Sequence, residues 1–375
     1  MNEKSRQSLQ SVPEKNVRIR NIPRELDAIW AGLHQQLTED QVVTRACMSN
    51  LIIYCDDDDQ TRDIRRILPD IVTPHPSRVI LLTGLGYTSE PGLDVFVSGL
   101  YSNLPGGVQV SAELIRVVAD STARKRLAPV ARAQLVGDLP TTLWWASHQP
   151  APFLSDVFNP LTAHVDQIIY DSFGWSEPTK GMHAMSRWVA AQSAEYVIDN
   201  MAWRRLKHWR SLLSQVLDPA VLPGALAGIS RLKIEHGPHA VAMTALLVGW
   251  LASLLGWQVK GGKTVPGKQT VWQFGVSGRQ FTVTLTRVEQ APSAPVRIEW
   301  SWRGSASDQR IVFADLGDNR LGLIEADSNL PARVVSALPA TQGTMVAAQM
   351  AHRSRDRVFE RALDSGNSMI AVLLK

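Results

Sequence analysis

The sequence has few of the residue patterns that mark an enzyme. No HExxH, CxxC or HxH spacing occurs among its nine histidines and two cysteines, so no metal site is expected. No phosphate-binding loop is present, and GVSGR at 275–279 has arginine where a nucleophile-elbow motif needs glycine. TGLGYTSEPG has Gly84 and Gly86 but lacks the third glycine of a dinucleotide fingerprint. These motifs therefore assign no catalytic, cofactor-binding or metal-binding residue.

Net charge and cysteine are also scarce. The formal charge is +4 over 375 residues, with acids and bases intermixed, so no nucleic-acid partner is expected. Cys47 and Cys55 would lie about 26 Å apart along a strand, far beyond disulfide reach. Free cysteines suit a reducing compartment, and the polar first residues do not resemble a signal peptide. The sequence therefore predicts a cytoplasmic location.

One long apolar run interrupts this polar background. Residues 240–257 hold 18 residues without a charge, which is the lower limit for a membrane-spanning helix. The alternative is a buried core helix. We favour the core helix and expect no membrane contact, because small residues are interspersed and charged, strand-like sequence follows at once.

Strand and helix patterns alternate in the first half. Residues 24–46 have helical spacing, with Leu26, Ile29, Trp30, Leu33 and Leu37 on one face. The segments with strand character are 48–55, 77–83, 108–119, 141–147 and 164–173, and those with helical character are 56–72 and 123–138. Such alternation, with strands apolar on both sides, predicts an α/β domain with a largely parallel sheet. Residues 1–15 are polar and are expected to be disordered.

The second half has a different pattern. Residues 175–219 are strongly helical, and residues 257–327 contain short strand-like runs bounded by turn residues. A last amphipathic helix is expected at roughly 344–363. This pattern predicts an α+β domain with an antiparallel sheet. The expected division is an N-terminal arm and helix at 1–44, an α/β domain at 45–175 and an α+β domain at 176–375.

Two adjacent tryptophans end the segment GDLPTTLWW. Neighbouring strand residues point to opposite faces, so Trp144 and Trp145 need apolar cover on both sides or a partner for one ring. A central strand of a parallel sheet is covered on both faces. We therefore expect both rings to be buried.

Asp56 to Asp59 stand where a strand ends and a helix begins. One interpretation is a metal or a hydroxyl-rich ligand at the carboxyl edge of the sheet. The other is helix capping, because carboxylates favour a helix N-terminus. We favour capping, because four consecutive side chains cannot converge on one ion.

The helix-like segment MAWRRLKHWRSLLSQVL carries a dense basic face. A buried stripe is expected from Ala202, Leu206, Trp209, Leu213 and Val216, at helical spacing. The partner-binding candidates on the remaining surface are Arg204, Arg205, Lys207 and Arg210. They form either a solvated face or a docking surface for an acidic partner or a phosphate-bearing ligand.

Several segments together resemble the glucose-6-phosphate dehydrogenase assembly protein family (OpcA). They occur in that family's order and cover roughly residues 45–260. The segments are NLIIYC at 50–55, HPSRVILL at 75–82, VSAELIRV at 110–117, GDLPTTLWWAS at 137–147 and DNMAWRRLKHWRSLLSQ at 199–215.

The resemblance implies a protein without catalysis of its own. Members of the family bind glucose-6-phosphate dehydrogenase and promote its active form in the oxidative pentose phosphate pathway. No cofactor is implied. The alternative is an enzyme or sensor that binds a phosphorylated sugar or nucleotide at the edge of the α/β sheet, and it rests on fold class and the acidic cluster.

Overall fold

A computed structural model gives the structure of the chain. It describes residues 9–35, 42–45, 47–104, 107–192, 194–292, 294–304, 307–327 and 330–374. Within these ranges the chain forms a nine-stranded sheet in its first half and an eight-stranded sheet in its second.

The first sheet is built around parallel strands. Its strands are β1 (Gln10–Asn16), β2 (Val42–Arg45), β3 (Ser49–Asp57), β4 (Ser77–Leu85), β5 (Leu93–Leu104), β6 (Gly107–Ala119), β7 (Thr141–Trp145), β8 (Gln167–Tyr170) and β9 (Val197–Asn200). The order β6-β4-β3-β7-β8-β9 is parallel throughout, and β5 and β1 extend it as antiparallel strands. The helices of this half are α1 (Ile22–His34), α2 (Asp58–Val72), α3 (Leu127–Ala133) and α4 (Ser155–Thr162). The predicted α/β class is confirmed.

The N-terminal segment differs from the prediction. Residues 10–15 were expected to be disordered but lie in β1, which pairs with β5. The helix expected over 24–46 ends at His34, and the last part of that segment is the strand β2. Leu37 lies outside the described residues. The error has a physical cause, because β1 and β2 gain their backbone partners from β5 and β6, which are distant in the chain.

The second sheet is mostly antiparallel, as predicted. Its strands are β10 (Ile229–His236), β11 (Gln258–Val265), β12 (Gln269–Val276), β13 (Arg279–Arg287), β14 (Pro295–Arg303), β15 (Asp308–Asp315), β16 (Arg320–Ala326) and β17 (Val334–Ser336). The pair β10–β13 is parallel, and the other pairs are antiparallel.

The helices of the second half are shorter than predicted. They are α5 (Pro178–Gln192), α6 (Met201–Arg205), α7 (Lys207–Val216), α8 (Val241–Leu255), α9 (Gln342–Met350) and α10 (Arg357–Ala371). The helical run expected over 175–219 contains strand β9 and breaks at Leu206. The single helix expected near 344–363 is two helices, because Asp356 caps a new helix by accepting the amides of Val358 and Phe359.

Helix α8 is a core helix. Its residues from Ala242 to Ala252 are buried, and it packs against α10. A Cβ on Gly249 would lie 2.3 Å from the carbonyl oxygen of Ala362, so this crossing requires glycine. Across the residues that the structure describes, no helix is long and apolar enough to cross a membrane.

The apolar core connects the two sheets. Trp145 of the first sheet and Trp300 of the second belong to one cluster of buried residues, and a second cluster lies on the other face of the first sheet. The first sheet extends past residues 45–175 at both ends through β1 and β9. The division at 1–44, 45–175 and 176–375 stays a prediction.

Candidate functional site: a closed crevice and a basic cleft

The parallel strands have the order in which dinucleotide-binding sheets place a ligand crevice. In the row β6-β4-β3-β7-β8-β9 the chain moves outward in one direction from β3 and in the other from β7. Ligands of such sheets bind outside the carboxyl ends of the strands at this switch point. The residues that follow β3 and β7 therefore decide whether this chain has such a site.

The acidic run at the end of β3 occupies this position, and three of its four carboxylates accept the chain's own backbone amides. Asp57 accepts the Gln60 amide at 2.9 Å and caps α2. Asp58 accepts the amide of Tyr87 at 2.8 Å, and Asp56 accepts that of His148 at 3.0 Å. Asp57 therefore makes the helix cap that we favoured, whereas Asp56 and Asp58 bind amides of neighbouring loops.

The Gln60 side chain closes the space between the two strand ends. Its Oε1 accepts the backbone amide of Asp56 at 2.6 Å, and its Nε2 donates to the carbonyl oxygen of Ala146 at 2.6 Å. One residue thus links the end of β3 to the end of β7. A ligand entering this crevice would have to break both hydrogen bonds.

Both tryptophans of the adjacent pair are buried, as predicted. Trp144 is fully buried in the cluster that includes residues of α2 and α9. Trp145 faces the opposite core, where its ring stacks on Tyr54 with centroids 4.3 Å apart and its N–H donates to the carbonyl of Gln149 at 2.9 Å. The pair therefore serves packing on both faces of the sheet.

Tyr54 also accounts for the first glycine of TGLG. A Cβ on Gly84 would lie 2.2 Å from the Tyr54 hydroxyl oxygen. The amide of Gly86 donates to the carbonyl of Ala119 at 2.8 Å. Gly84 thus permits a close side-chain contact inside the protein. Carboxylates at the strand end give the crevice the wrong charge for a pyrophosphate, and the Gln60 amide at the start of α2 is already bonded to Asp57.

A second recess lies at the end of β9, the last strand of the parallel row. We call it the basic cleft. Its volume is about 490 Å³. It is lined by the end of β9, by α6 and α7, and by the connection between α9 and α10. Its charged lining residues are Asp199, Arg204, Lys207, Arg210, Arg355, Asp356 and Arg357.

Three of the four basic residues singled out in the sequence meet in this cleft. Arg204, Lys207 and Arg210 line it, and Arg204 donates to Oε1 of Gln349 at 3.3 Å. Arg205 does not line it. The five residues of the expected buried stripe are all buried, so this part of the helical prediction is confirmed even though α6 and α7 are separate helices.

Arg205 is engaged elsewhere. Its two terminal nitrogens donate to the two carboxyl oxygens of Asp171, each at 2.8 Å, and its guanidinium lies 5.3 Å from the ring centroid of Phe173. A paired, half-buried guanidinium of this kind is held in one orientation. The basic face expected on one helix is therefore split between two environments.

The cleft residues from the α9–α10 connection were missed in the sequence. Arg355, Asp356 and Arg357 fall where a continuous helix was expected. Their only local signal is the charged stretch RSRDR at 353–357, and nothing in it points to residues about 150 positions earlier. The contact comes from tertiary packing, because Trp203 Nε1 donates to Asp356 Oδ2 at 2.8 Å.

Arg210 lies flat on Trp203. Its guanidinium carbon is 3.4 Å from the ring centroid, and one terminal nitrogen donates to the Trp203 carbonyl at 3.4 Å. Within the described residues its Nε is buried and has no hydrogen-bond partner. Burial lowers the pKa of Arg210 to about 10. A group with this pKa still carries its charge at neutral pH.

Asp199 forms the buried acidic part of the cleft. It is 8% exposed, and its Oδ2 accepts a hydrogen bond of 2.7 Å from Gln167. Burial raises the pKa of Asp199 to about 6, although the hydrogen bond from Gln167 opposes the shift. The carboxyl is therefore much easier to protonate than an exposed aspartate.

Positive charge dominates the rest of the cleft. Arg355 is paired with Glu360 through two hydrogen bonds of 2.9 Å. Four cations that line the cleft make no ion pair with any described residue: Arg204, Lys207, Arg210 and Arg357. This arrangement can hold an anion.

Metal ligation has no comparable support. Among the residues that the structure describes, no three His, Cys, Asp or Glu side chains are grouped so that they could hold a metal ion. His236 is buried, and its Nδ1 lies 2.8 Å from the carbonyl oxygen of Gly237. Cys47 and Cys55 are both free, as predicted.

Two family models, both described as domains of a "Glucose-6-phosphate dehydrogenase subunit", match the chain in adjacent segments. The model of the N-terminal domain matches residues 69–187, and the model of the C-terminal domain matches residues 196–363. All residues that line the basic cleft lie within the second match.

Two cyanobacterial relatives carry the name "Putative OxPP cycle protein OpcA". The one from Nostoc punctiforme is 29% identical over 195 residues, which are 52% of this chain and 41% of that protein. The one from Synechocystis is 29% identical over 150 residues, which are 40% of this chain and 30% of that protein. The match thus spans less than half the length of either relative.

Solved structures resemble the chain only distantly. The super-repressor mutant of Gal80p from Saccharomyces cerevisiae has a TM-score of 0.47 and 7% identity, covering 87% of this chain and 96% of that one. Glucose-6-phosphate 1-dehydrogenase from Mycobacterium avium has a TM-score of 0.41 and 9% identity, covering 84% and 90%. Likeness at this level carries no argument. The family models and the two relatives do, and on their evidence the chain belongs to the OpcA family of glucose-6-phosphate dehydrogenase assembly proteins.

Proposed function

We propose that this chain is a non-catalytic assembly factor and allosteric activator that binds glucose-6-phosphate dehydrogenase in the oxidative pentose phosphate pathway. The observation that carries the proposal is the paired match to both domains of one family described as a subunit of that enzyme. We also propose that the chain acts in the cytoplasm.

The closed crevice supports a role without chemistry. Carboxylates and the Gln60 amide are hydrogen-bonded to the chain itself at the strand ends where a dinucleotide would bind to a sheet of this strand order. An oxidoreductase of this topology needs that place open for its cofactor. The same contacts weigh against the alternative of an enzyme that binds a nucleotide at the switch point.

Activation sets a thermodynamic condition. The chain must bind the active conformation of the dehydrogenase more tightly than the inactive one, and the ratio of the two affinities limits the activation. A tenfold shift toward the active form requires about 1.4 kcal/mol of differential binding.

The docking surface is proposed to include Arg204, Arg205, Lys207 and Arg210. Arg204 and Lys207 are the better placed of the four, because neither makes an ion pair in the described residues and Lys207 is exposed. Arg205 and Arg210 are held against Asp171 and Trp203, so they would act by shaping this surface. A basic surface of this kind fits an acidic patch on the dehydrogenase.

The test is dehydrogenase kinetics with and without the chain over a range of substrate concentrations. We expect a higher kcat/KM when the chain is present, and the separate changes in kcat and KM show which step is affected. Unchanged kinetics, together with no complex on co-purification, would refute the proposal.

A pair of variants tests the docking surface. Arg204→Glu with Lys207→Glu reverses two charges and leaves the Arg205–Asp171 pair intact. The matched control is Lys263→Glu with Lys268→Glu on the exposed β11–β12 hairpin, which changes the net charge equally. We expect only the first pair to weaken co-purification with the dehydrogenase. Equal behaviour of the two double variants would remove the cleft from the interface.

A further inference from the structure

We propose that the basic cleft binds the dianionic phosphate group of a small ligand. The site needs no dehydrogenase to form, because all of its lining residues come from this chain. It therefore goes beyond the assembly role and can be tested on the purified chain alone.

The first support is the charge of the cleft. Arg204, Lys207, Arg210 and Arg357 line one recess without an ion pair in the described residues, and they come from three helices that the fold brings together. Cations gathered in this way repel one another, and the attraction between a bound dianion and each cation would offset that repulsion. Arginine in particular matches phosphate oxygens through paired N–H donors.

The second support is the state of Arg210. Its Nε is buried and without a partner in the described part of the chain, while its guanidinium is held on the Trp203 ring at 3.4 Å. The guanidinium of Arg210 is half-buried, and the attraction of Asp356 offsets its loss of hydration only in part. The lowered pKa of Arg210 expresses the same desolvation. An anion in the cleft would add negative charge beside this guanidinium.

The third support is the shape of the cleft. A volume of about 490 Å³ lies within the range of small-ligand pockets, roughly 300–1,000 Å³. The cations line a recess whose buried polar residues include Asp199 and Asn200. Because the cations reach this recess from three helices, they can surround a compact anion inside it, while the exposed Lys207 can also meet an acidic surface of the dehydrogenase. We therefore commit to a small phosphate-bearing ligand.

The test is isothermal titration calorimetry of the full chain in phosphate-free buffer. Three probes are titrated separately: glucose 6-phosphate, inorganic phosphate and glucose. We expect saturable binding of at least one phosphate probe and none of glucose. Tighter binding of glucose 6-phosphate indicates a phosphate-ester site, and tighter binding of inorganic phosphate indicates a site for the free ion. Both outcomes support the proposal.

Variants assign the binding to the cleft. Arg357→Gln replaces an exposed side chain and should leave the fold intact, and Arg210→Gln removes the buried cation. We expect each to weaken phosphate binding at least tenfold, while the control Lys263→Gln leaves it unchanged. If Arg210→Gln does not fold, Arg357→Gln decides alone.

Three results would overturn the proposal. The first is that neither phosphate probe binds. The second is that the variants bind phosphate as tightly as the parent chain does. The third is that a hexaglutamate peptide binds more tightly than both phosphate probes. The last result would identify the cleft as a site for an acidic protein segment. All three can be read without the dehydrogenase, so they are separate from a failure of the assembly role.

Discussion

The crevice between β3 and β7 and the basic cleft at β9 lie at the same edge of the same sheet, yet they are opposite in charge and in hydrogen bonding. In the crevice, Asp56, Asp57 and Asp58 accept backbone amides of the chain. In the cleft, four cations make no ion pair in the described residues, and Arg210 has a buried nitrogen without a partner. The crevice, where this topology usually binds a ligand, is bridged by the chain's own hydrogen bonds, whereas the basic cleft is an open recess.

This contrast separates structural from functional use of polar residues. Groups that satisfy one another contribute to stability and leave nothing for a ligand, whereas groups without partners have a cost that binding can remove. The crevice should therefore respond to mutation through stability. The cleft should respond through binding and pH dependence.

The largest effect is expected in the crevice region from Trp145→Ala. The substitution removes the ring stacked on Tyr54 and leaves a cavity, so unfolding free energy should fall by about 3–5 kcal/mol. Urea unfolding followed by circular dichroism measures it. The matched control is Tyr87→Ala, an aromatic residue at the same edge that is 94% exposed and should cost under about 0.5 kcal/mol. Similar losses for both would contradict the packing role of the tryptophan.

Gly84→Ala tests the close contact beneath the crevice. The new methyl group would meet the Tyr54 hydroxyl, so a loss of about 1–3 kcal/mol is expected from overpacking. Gly137→Ala is the control, because in the described part of the chain no atom beyond Gly137 and its two chain neighbours lies within 4 Å of the added Cβ. A neutral Gly84→Ala variant would mean that Tyr54 can move and that the crevice is less firmly closed.

Asp199→Asn tests the cleft through pH. The native pKa of about 6 lies above the ordinary value of 3.8, so between these values the native state binds a proton that the unfolded state does not. This contribution favours folding at low pH and is lost as pH rises through 6. It amounts to roughly 3 kcal/mol, at about 1.4 kcal/mol per pKa unit.

The variant should remove that pH dependence. Unfolding free energies measured from pH 4 to 7 should differ between the parent chain and Asp199→Asn mainly at the upper end, where the variant is the more stable. The control is Asp63→Asn, a substitution at an exposed position of α2. Its unfolding free energy should change with pH in parallel with that of the parent chain. Parallel curves for Asp199→Asn as well would place its carboxyl in a solvated environment.

The smallest effect is expected from Asp57→Ala at the start of α2. Loss of the cap to the Gln60 amide should cost about 1 kcal/mol. Asp59→Ala is the comparison, because Asp59 is exposed and, among the described residues, pairs only with Arg62 on the same helix, so a loss of about a few tenths of a kcal/mol is expected there. Equal losses would show that the acidic run acts through general charge and not through one cap.

Local pattern was enough to predict two features of the crevice region. The helix cap within the acidic run and the burial of Trp144 and Trp145 follow from residue chemistry and strand alternation, which act over a few positions. The apolar helix α8 was predicted for the same reason, because small residues without charge specify close packing.

The basic cleft could be predicted only in part. Arg204, Lys207 and Arg210 were visible as a basic helix face, but the partners Arg355 and Arg357 lay inside an expected helix. The break before α10 depends on the Asp356 cap and on its contact with Trp203. Strand β9, which brings Asp199 to the cleft, was hidden in a helical pattern because its pairing with β8 is set by tertiary structure.

The central claim is that the chain works by binding the dehydrogenase. Sedimentation velocity of the chain mixed with the glucose-6-phosphate dehydrogenase of its own organism tests it most directly. We predict a species that contains both proteins and sediments faster than either alone. The fraction of protein in this species should fall when Arg204→Glu and Lys207→Glu are introduced. Two independent boundaries, unchanged at every mixing ratio and with substrate present, would contradict it.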